Sequence, residues 1–85
     1  MTVYVDKPAF PYRGQLYCHM ATDGSLLELH EMADRIGMKR SWFQDKPGRP
    51  HYDLSPGKRA LAVRNGAVEV TSTDLVRKCF RKGGR

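Results

Sequence analysis

Eighty-five residues, 40% hydrophobic and 28% charged, supply one hydrophobic core and exclude both a second domain and a disordered chain. A domain of this size buries only about 60–65% of the surface its unfolded chain exposes, so modest stability is expected. A formal net charge of +6 favours anionic partners such as nucleic acid, nucleotides or an acidic protein face, and no apolar run approaches the roughly 18 residues of a membrane span.

The chain opens with Thr2-Val3-Tyr4-Val5, a β-branched and aromatic run that reads as a strand with Asp6 at its carboxyl end. The same opening has neither the basic nor the apolar stretch of a secretory signal, which predicts a cytoplasmic chain. Pro8, Pro11 and Gly14 predict an irregular loop over residues 7–14. From Gln15 to Met20, Leu16, Cys18 and Met20 alternate with Tyr17 and His19, as on a short strand. Ser25 followed by Glu28 matches a capping box, and Leu26, Leu29, Ala33 and Ile36 recur at helical spacing up to a stop at Gly37-Met38.

Trp42–Gln44 reads as a short strand, residues 45–50 with Pro47, Gly48 and Pro50 as a loop, and His51–Leu54 is too short to assign. Ser55-Pro56 opens a second helix that runs through Ala60, Leu61 and Val63 to Gly66. Ala67–Val70 is a further strand. Ser72 is the expected cap of a last helix whose Leu75, Val76, Cys79 and Phe80 form one apolar stripe.

Alternating strands and helices predict an α/β fold: a small single domain over residues 1–82, with a short, partly parallel sheet and about three helices. Residues 83–85 are expected to form a flexible basic tail. Thr2–Val5 and Ala67–Val70, the two most apolar strands, are expected side by side or one strand apart. Right-handed crossovers would then gather the carboxyl ends of the strands, where ligands of such sheets bind. Cys18 and Cys79 match no metal or redox spacing and read as reduced thiols in apolar company.

Asp6 is expected at that carboxyl edge. Thr71 and Ser72 lie at the start of a helix, where hydroxyls and free N–H groups suit an anion, although simple capping is the first reading of Ser72 and does not exclude the anion. His19 with Asp23, and His51 with Asp53, each put an imidazole near a carboxylate. Such pairs bind a divalent metal or act as a base and its orienting partner. His51 and Asp53, at i and i+2 on an extended backbone, would face the same side. The sharpest expectation is that Asp6, His19, Asp23, His51 and Asp53 share one concave catalytic surface, where histidines offset carboxylate repulsion. His30, one turn before Asp34, reads as an exposed helical pair outside the site.

Lys39, Arg40, Lys46 and Arg49 crowd the middle of the chain, and Arg77, Lys78, Arg81, Lys82 and Arg85 its end. Trp42, Phe43 and Tyr52 flank the central group, an arrangement suited to base stacking, with core packing as the competing assignment. Lys39, Arg40, Trp42, Gln44, Thr71 and Ser72 are therefore the candidate ligand-binding residues.

Val3-Tyr4-Val5-Asp6, His19 to Asp23, Glu28-Leu29-His30, Trp42-Phe43-Gln44, His51-Tyr52-Asp53 and Gly66-Ala67-Val68 together resemble domain-of-unknown-function family 4031 over essentially the whole chain. This is a bacterial and phage family without a settled activity. The resemblance implies that these polar residues recur as a set around a shared ligand or catalytic site, and that the source is a phage or bacterium. A second likeness, by analogy, is to PIN-type nucleases, where acids after the first and last strands bind metal, as Asp6 and Thr71–Asp74 would here. Three functions follow: a site that binds or hydrolyses a phosphate-containing ligand, nucleic acid or nucleotide; a non-catalytic nucleic-acid module; and a phage accessory protein binding a host protein through its basic face.

Overall fold

The computed structural model describes residues 2–80; the expected tail at 83–85 lies outside them. β1 (Val3–Val5) is followed by β2 (Phe10–Tyr12) and the long β3 (Gln15–Thr22), then α1 (Leu26–Arg35). A single 3₁₀ turn at Arg40–Trp42 leads into β4 (Gln44–Lys46) and β5 (Arg49–Leu54). α2 (Pro56–Arg64), β6 (Val68–Glu69) and α3 (Ser72–Cys79) complete the chain. The strands lie in the order β4-β5-β3-β1-β6, with β2 also paired to β3.

β1 and β6 are adjacent and parallel, as the two apolar runs predict, with Tyr4 opposite Val68. The other pairings are antiparallel, so the α/β reading holds with only one parallel pair among the described residues. No described helix is long and apolar enough to cross a membrane.

Two segments expected to be loops are hairpins. Residues 7–14 contain β2, joined to β3 by Arg13-Gly14, both left-handed (φ 50° and 79°). Two left-handed residues make the tight turn whose twist suits antiparallel strands. Residues 45–50 form another hairpin around Pro47-Gly48, with Gly48 at φ 72°. Proline at the first central position and a left-handed glycine at the second satisfy a type II turn. Prolines masked both pairings in the sequence, because their missing donors are tolerated only on sheet edges and at strand starts. Trp42 belongs to the 3₁₀ turn rather than to a strand.

The helix caps follow the sequence with two departures. Ser25 accepts from the Glu28 backbone N–H at 3.4 Å, but Glu28 Oε1 has no hydrogen-bond partner among the described residues. Only half of the capping box forms. In α3 the cap is Thr71, which accepts from the Asp74 N–H at 3.1 Å, so Ser72 moves to the first helical position. Its hydroxyl is thereby free for another partner. Of the stripe predicted on α3, Leu75 is buried but Val76 is half exposed.

Strand alternation sorts the sheet into two faces. Val3, Val5, Cys18, Met20, Tyr52 and Leu54 turn toward Leu29, Met32, Ala33 and Ile36 of α1 and Ala62 of α2 to form the core. Tyr4, Tyr17, His19, His51 and Asp53 occupy the other face, which α3 partly covers: Lys78 Nζ lies 5.6 Å from the Tyr4 ring and Phe80 5.9 Å from His51. Leu16, expected to pack beside Cys18, is half exposed instead. It precedes the stretch of β3 that pairs with β5.

Candidate metal centre

The register between β1 and β2 on one side and β3 on the other is interrupted at Asp6. Val5 faces Met20 and Phe10 faces Tyr17, so residues 6–9 stand opposite only Cys18 and His19. Such a bulge re-aims side chains and leaves a backbone donor without its ladder partner. Asp6 fills the gap. Its backbone N–H donates to the His19 carbonyl at 3.2 Å, and its Oδ1 accepts from the His19 backbone N–H at 2.7 Å.

The second carboxylate oxygen of Asp6 accepts from His19 Nδ1 at 2.9 Å and from the Ser72 hydroxyl at 3.0 Å. The parallel β1–β6 pairing makes the Ser72 contact, since both strands deliver their carboxyl ends to one edge. Arg59 Nε donates to the Asp6 carbonyl at 2.8 Å while its guanidinium reaches Glu69 at 3.1 Å. Asp6 is 1% exposed. Burial pushes its carboxyl up, but the hydrogen bonds from the His19 side chain, the His19 backbone and Ser72 together outweigh that and hold it below its usual value. The Asp6 hydrogen bond in turn raises His19, against the opposing effect of burial, and the charges of Asp6 and Asp53 add to the rise.

β3 and β5 then assemble the rest. His19 and Asp53 are directly opposite in register, and His51 lies two residues from Asp53 on the same face. The His19 and His51 rings meet edge to face at 5.2 Å, and His51 Nε2 lies 3.3 Å from Asp53 Oδ1. One ligand atom from each of His19, His51 and Asp53 falls within 4.8 Å of the other two. Each side chain is held from behind. His51 Nδ1 donates to the Arg49 carbonyl at 2.8 Å, and Gln44 Nε2 donates to Asp53 Oδ2 at 3.4 Å.

These partners fix the tautomers of the neutral imidazoles. With Nδ1 donating to a carboxylate in His19 and to a carbonyl in His51, both Nε2 atoms keep a lone pair. Two imidazole lone pairs beside a carboxylate oxygen repel unless a proton or a cation lies among them. The arrangement is that of metal-ligating histidines, whose second nitrogen is hydrogen-bonded to a carboxylate or carbonyl. Neither thiol joins the described donor set: Cys18 turns to the core face, and burial pushes the Cys18 and Cys79 thiols up to about 12.

The family model described as Protein of unknown function (DUF4031) matches residues 3–82. The chain belongs to that family. Comparison with curated proteins gives no match, and neither does comparison with solved structures.

Of the five residues expected to converge in this DUF4031 domain, Asp6, His19, His51 and Asp53 do so and Asp23 does not. β3 runs on to Thr22, and four residues of extended strand carry Asp23 roughly 13 Å from His19. There it accepts from the Thr2 N–H at 2.8 Å and from the Tyr4 hydroxyl at 3.4 Å, fastening the start of β1. Thr71 is committed to its cap, and Ser72 acts through Asp6. The PIN-type analogy fails at Asp74, which turns outward to Arg77 at 3.9 Å. Lys39, which precedes the 3₁₀ turn, and Arg40, its first residue, are exposed, and Arg40 lies 4.0 Å from Asp34. Trp42 remains 47% exposed, whereas Tyr52 is fully buried and Phe43 packs on the core.

His30 is a partner of Tyr52, its Nδ1 lying 2.8 Å from the tyrosine hydroxyl, and is not the exposed mate of Asp34. Sequence reasoning missed three participants: Arg59, Gln44 as the orienter of Asp53, and the Arg49 carbonyl. Only the last had a readable signal, since an imidazole at i+2 on a strand can reach back to its own backbone.

Proposed function

We propose that this DUF4031 domain binds one divalent transition-metal ion through His19, His51 and Asp53 and directs it at a phosphate-bearing ligand, nucleic acid or nucleotide, for hydrolysis. The supporting observation is the donor set itself, three ligand atoms within 4.8 Å, each on a side chain oriented by a further partner. Two imidazoles and one carboxylate suit zinc, iron(II) or manganese and leave coordination positions open. A cation held there would polarise a phosphoryl oxygen and lower the pKa of a neighbouring water. The chain's own residues set the geometry: Asp6 keeps the His19 proton on Nδ1, Ser72 and Arg59 hold Asp6, and Gln44 aims Asp53.

The anionic ligand follows from charge. The charge of Arg49 slightly opposes protonation of His19, and Arg49 belongs to a basic central stretch in a chain of net charge +6. Hydrolysis of a phosphodiester adds one water across a P–O bond and releases an alcohol and a monoester. The step is a simple addition of water and balances without any further reactant.

Calorimetric titration of metal-free protein with Zn²⁺ and Mn²⁺, alongside hydrolysis of bis(p-nitrophenyl) phosphate, tests the reading. One ion per chain is expected, with binding and hydrolysis both lost in His51→Ala and Asp53→Ala while circular dichroism stays that of a folded domain. Absence of stoichiometric binding, or binding unchanged in both variants, would overturn it. Binding without hydrolysis would leave a metal-loaded accessory module acting through its basic face.

A further inference from the structure

A groove of about 790 Å³ opens beside the metal centre, between the β2–β3 hairpin and the segment that carries the 3₁₀ turn and β4. That volume lies within the range of about 300–1,000 Å³ typical of ligand sites. Asp53 belongs to both the groove and the donor set. Among the groove's lining are Phe10, Tyr12, Tyr17 and Trp42, with Arg13 and Lys58.

The aromatic rings continue directly into the metal centre. Tyr12 lies 5.3 Å from Tyr17, Tyr17 6.0 Å from Phe10, Phe10 5.0 Å from His19, and His19 5.2 Å from His51. Cations sit on the outer rings: Arg13 is 5.3 Å from the Tyr12 centroid and Lys39 5.6 Å from that of Trp42. Tyr12 and Trp42 remain 52% and 47% exposed, which is too open for core packing.

We infer that this groove is a stacking platform for the bases of a single-stranded nucleic acid whose backbone phosphate reaches the metal centre. Flat aromatic surfaces with cations at the outermost rings offer stacking faces for bases and positive charge for the phosphates that link them, and every base offers a face to stack whatever its sequence. A duplex cannot use the platform, because its bases are already stacked. An acidic protein face would supply the charge but not a succession of rings to lie on Tyr12 and Trp42. The assignment rests on the proposed function only for the phosphate end; the stacking end stands on the groove.

Trp42 is the one tryptophan in the chain, so its fluorescence reports on the groove alone. The test titrates the metal-free full chain with an oligothymidylate of about eight nucleotides, a duplex of equal length, and thymidine monophosphate. A labelled strand read by anisotropy serves where Trp42 is replaced. Single strands are expected to quench Trp42, with the duplex and the mononucleotide each about tenfold or more weaker. Tyr12→Ala and Trp42→Ala are expected to weaken single-strand binding by about tenfold or more while keeping zinc binding; His51→Ala is expected to lose zinc and keep quenching. Absence of quenching at low salt, equal affinity for duplex and single strand, equal affinity for the mononucleotide, or indifference to both aromatic substitutions would overturn the inference. Zinc binding lost in wild type with quenching retained would instead remove the metal centre and leave the platform standing.

Discussion

Replacing Asp6 with asparagine keeps the shape of a 1%-exposed side chain and removes its charge. Three donors converge on the native carboxylate: the His19 N–H, His19 Nδ1 and the Ser72 hydroxyl. Hydrogen bonds to a charged group contribute about 1.5–3 kcal/mol each. Asparagine retains one acceptor oxygen, and Ser72 can rotate, so one charged bond is lost outright and a second weakened. The expected cost is about 2–3 kcal/mol, against the roughly 4–13 kcal/mol of total stability usual for a chain this long. Tm should fall by roughly 8–24 °C. Asparagine also presents an N–H₂ to His19 Nδ1, which drives the imidazole proton to Nε2 and blocks the lone pair needed for metal. Zinc affinity should drop about 10–100-fold, the usual effect of removing a ligand's hydrogen-bonding partner. Urea denaturation of the metal-free protein at neutral pH and a zinc titration measure the two effects. A stability change below about 0.5 kcal/mol, the size typical of surface substitutions, would refute the account of Asp6.

Asp23→Ala should cost about 1 kcal/mol, from two lost hydrogen bonds at an exposed strand end, and leave zinc binding intact. Asp53→Ala should do the reverse, as paired thermal melts and metal titrations would show. In a histidine NMR titration of the metal-free chain, His19 should titrate above 6.5, raised by Asp6, and His30 below 6.5, lowered by burial and by Arg40. His19 then contributes stability that is complete below its unfolded value of about 6.5 and lost as pH rises through its folded pKa. The His30 contribution is present above about 6.5 and lost as pH falls through its folded value, so an inverted order of the two resonances would contradict the structure. Changing Lys39, Arg40, Lys46 and Arg49 to glutamine should flatten the salt dependence of oligonucleotide binding and move stability by less than about 0.5 kcal/mol per site. The one ion pair among them, Arg40 with Asp34, is 4.0 Å long with both side chains about 60% exposed. Unchanged binding at low salt would remove that patch from the interface.

The helices were legible because their signals are local. Ser25 and Ser55-Pro56 announce their own N-termini, and Gly37 its stop. The β1–β6 pairing was legible too, from two apolar runs that each end in a polar segment. The hairpins were hidden because proline reads as a breaker until a partner strand places it where its missing donor is harmless, as happens to Pro11 and Pro50. His51 and Asp53 showed their common face through simple alternation. His19 and Asp23 suggested the same intimacy and failed, since the length of β3 was misread by two residues and a strand separates what a turn would join. The bulge at Asp6 left no local trace. It exists only because residues 6–9 oppose two residues of β3, and that mismatch is a property of the pair of strands.

The central claim is that His19, His51 and Asp53 hold one metal ion. Anomalous diffraction from crystals of the protein grown with zinc measures this directly. The account predicts a single strong peak about 2.0–2.2 Å from Nε2 of His19, Nε2 of His51 and a carboxylate oxygen of Asp53, with Asp6 still bonded to His19 Nδ1. No peak at that position, or one seated only on Asp23 or Cys79, would contradict it.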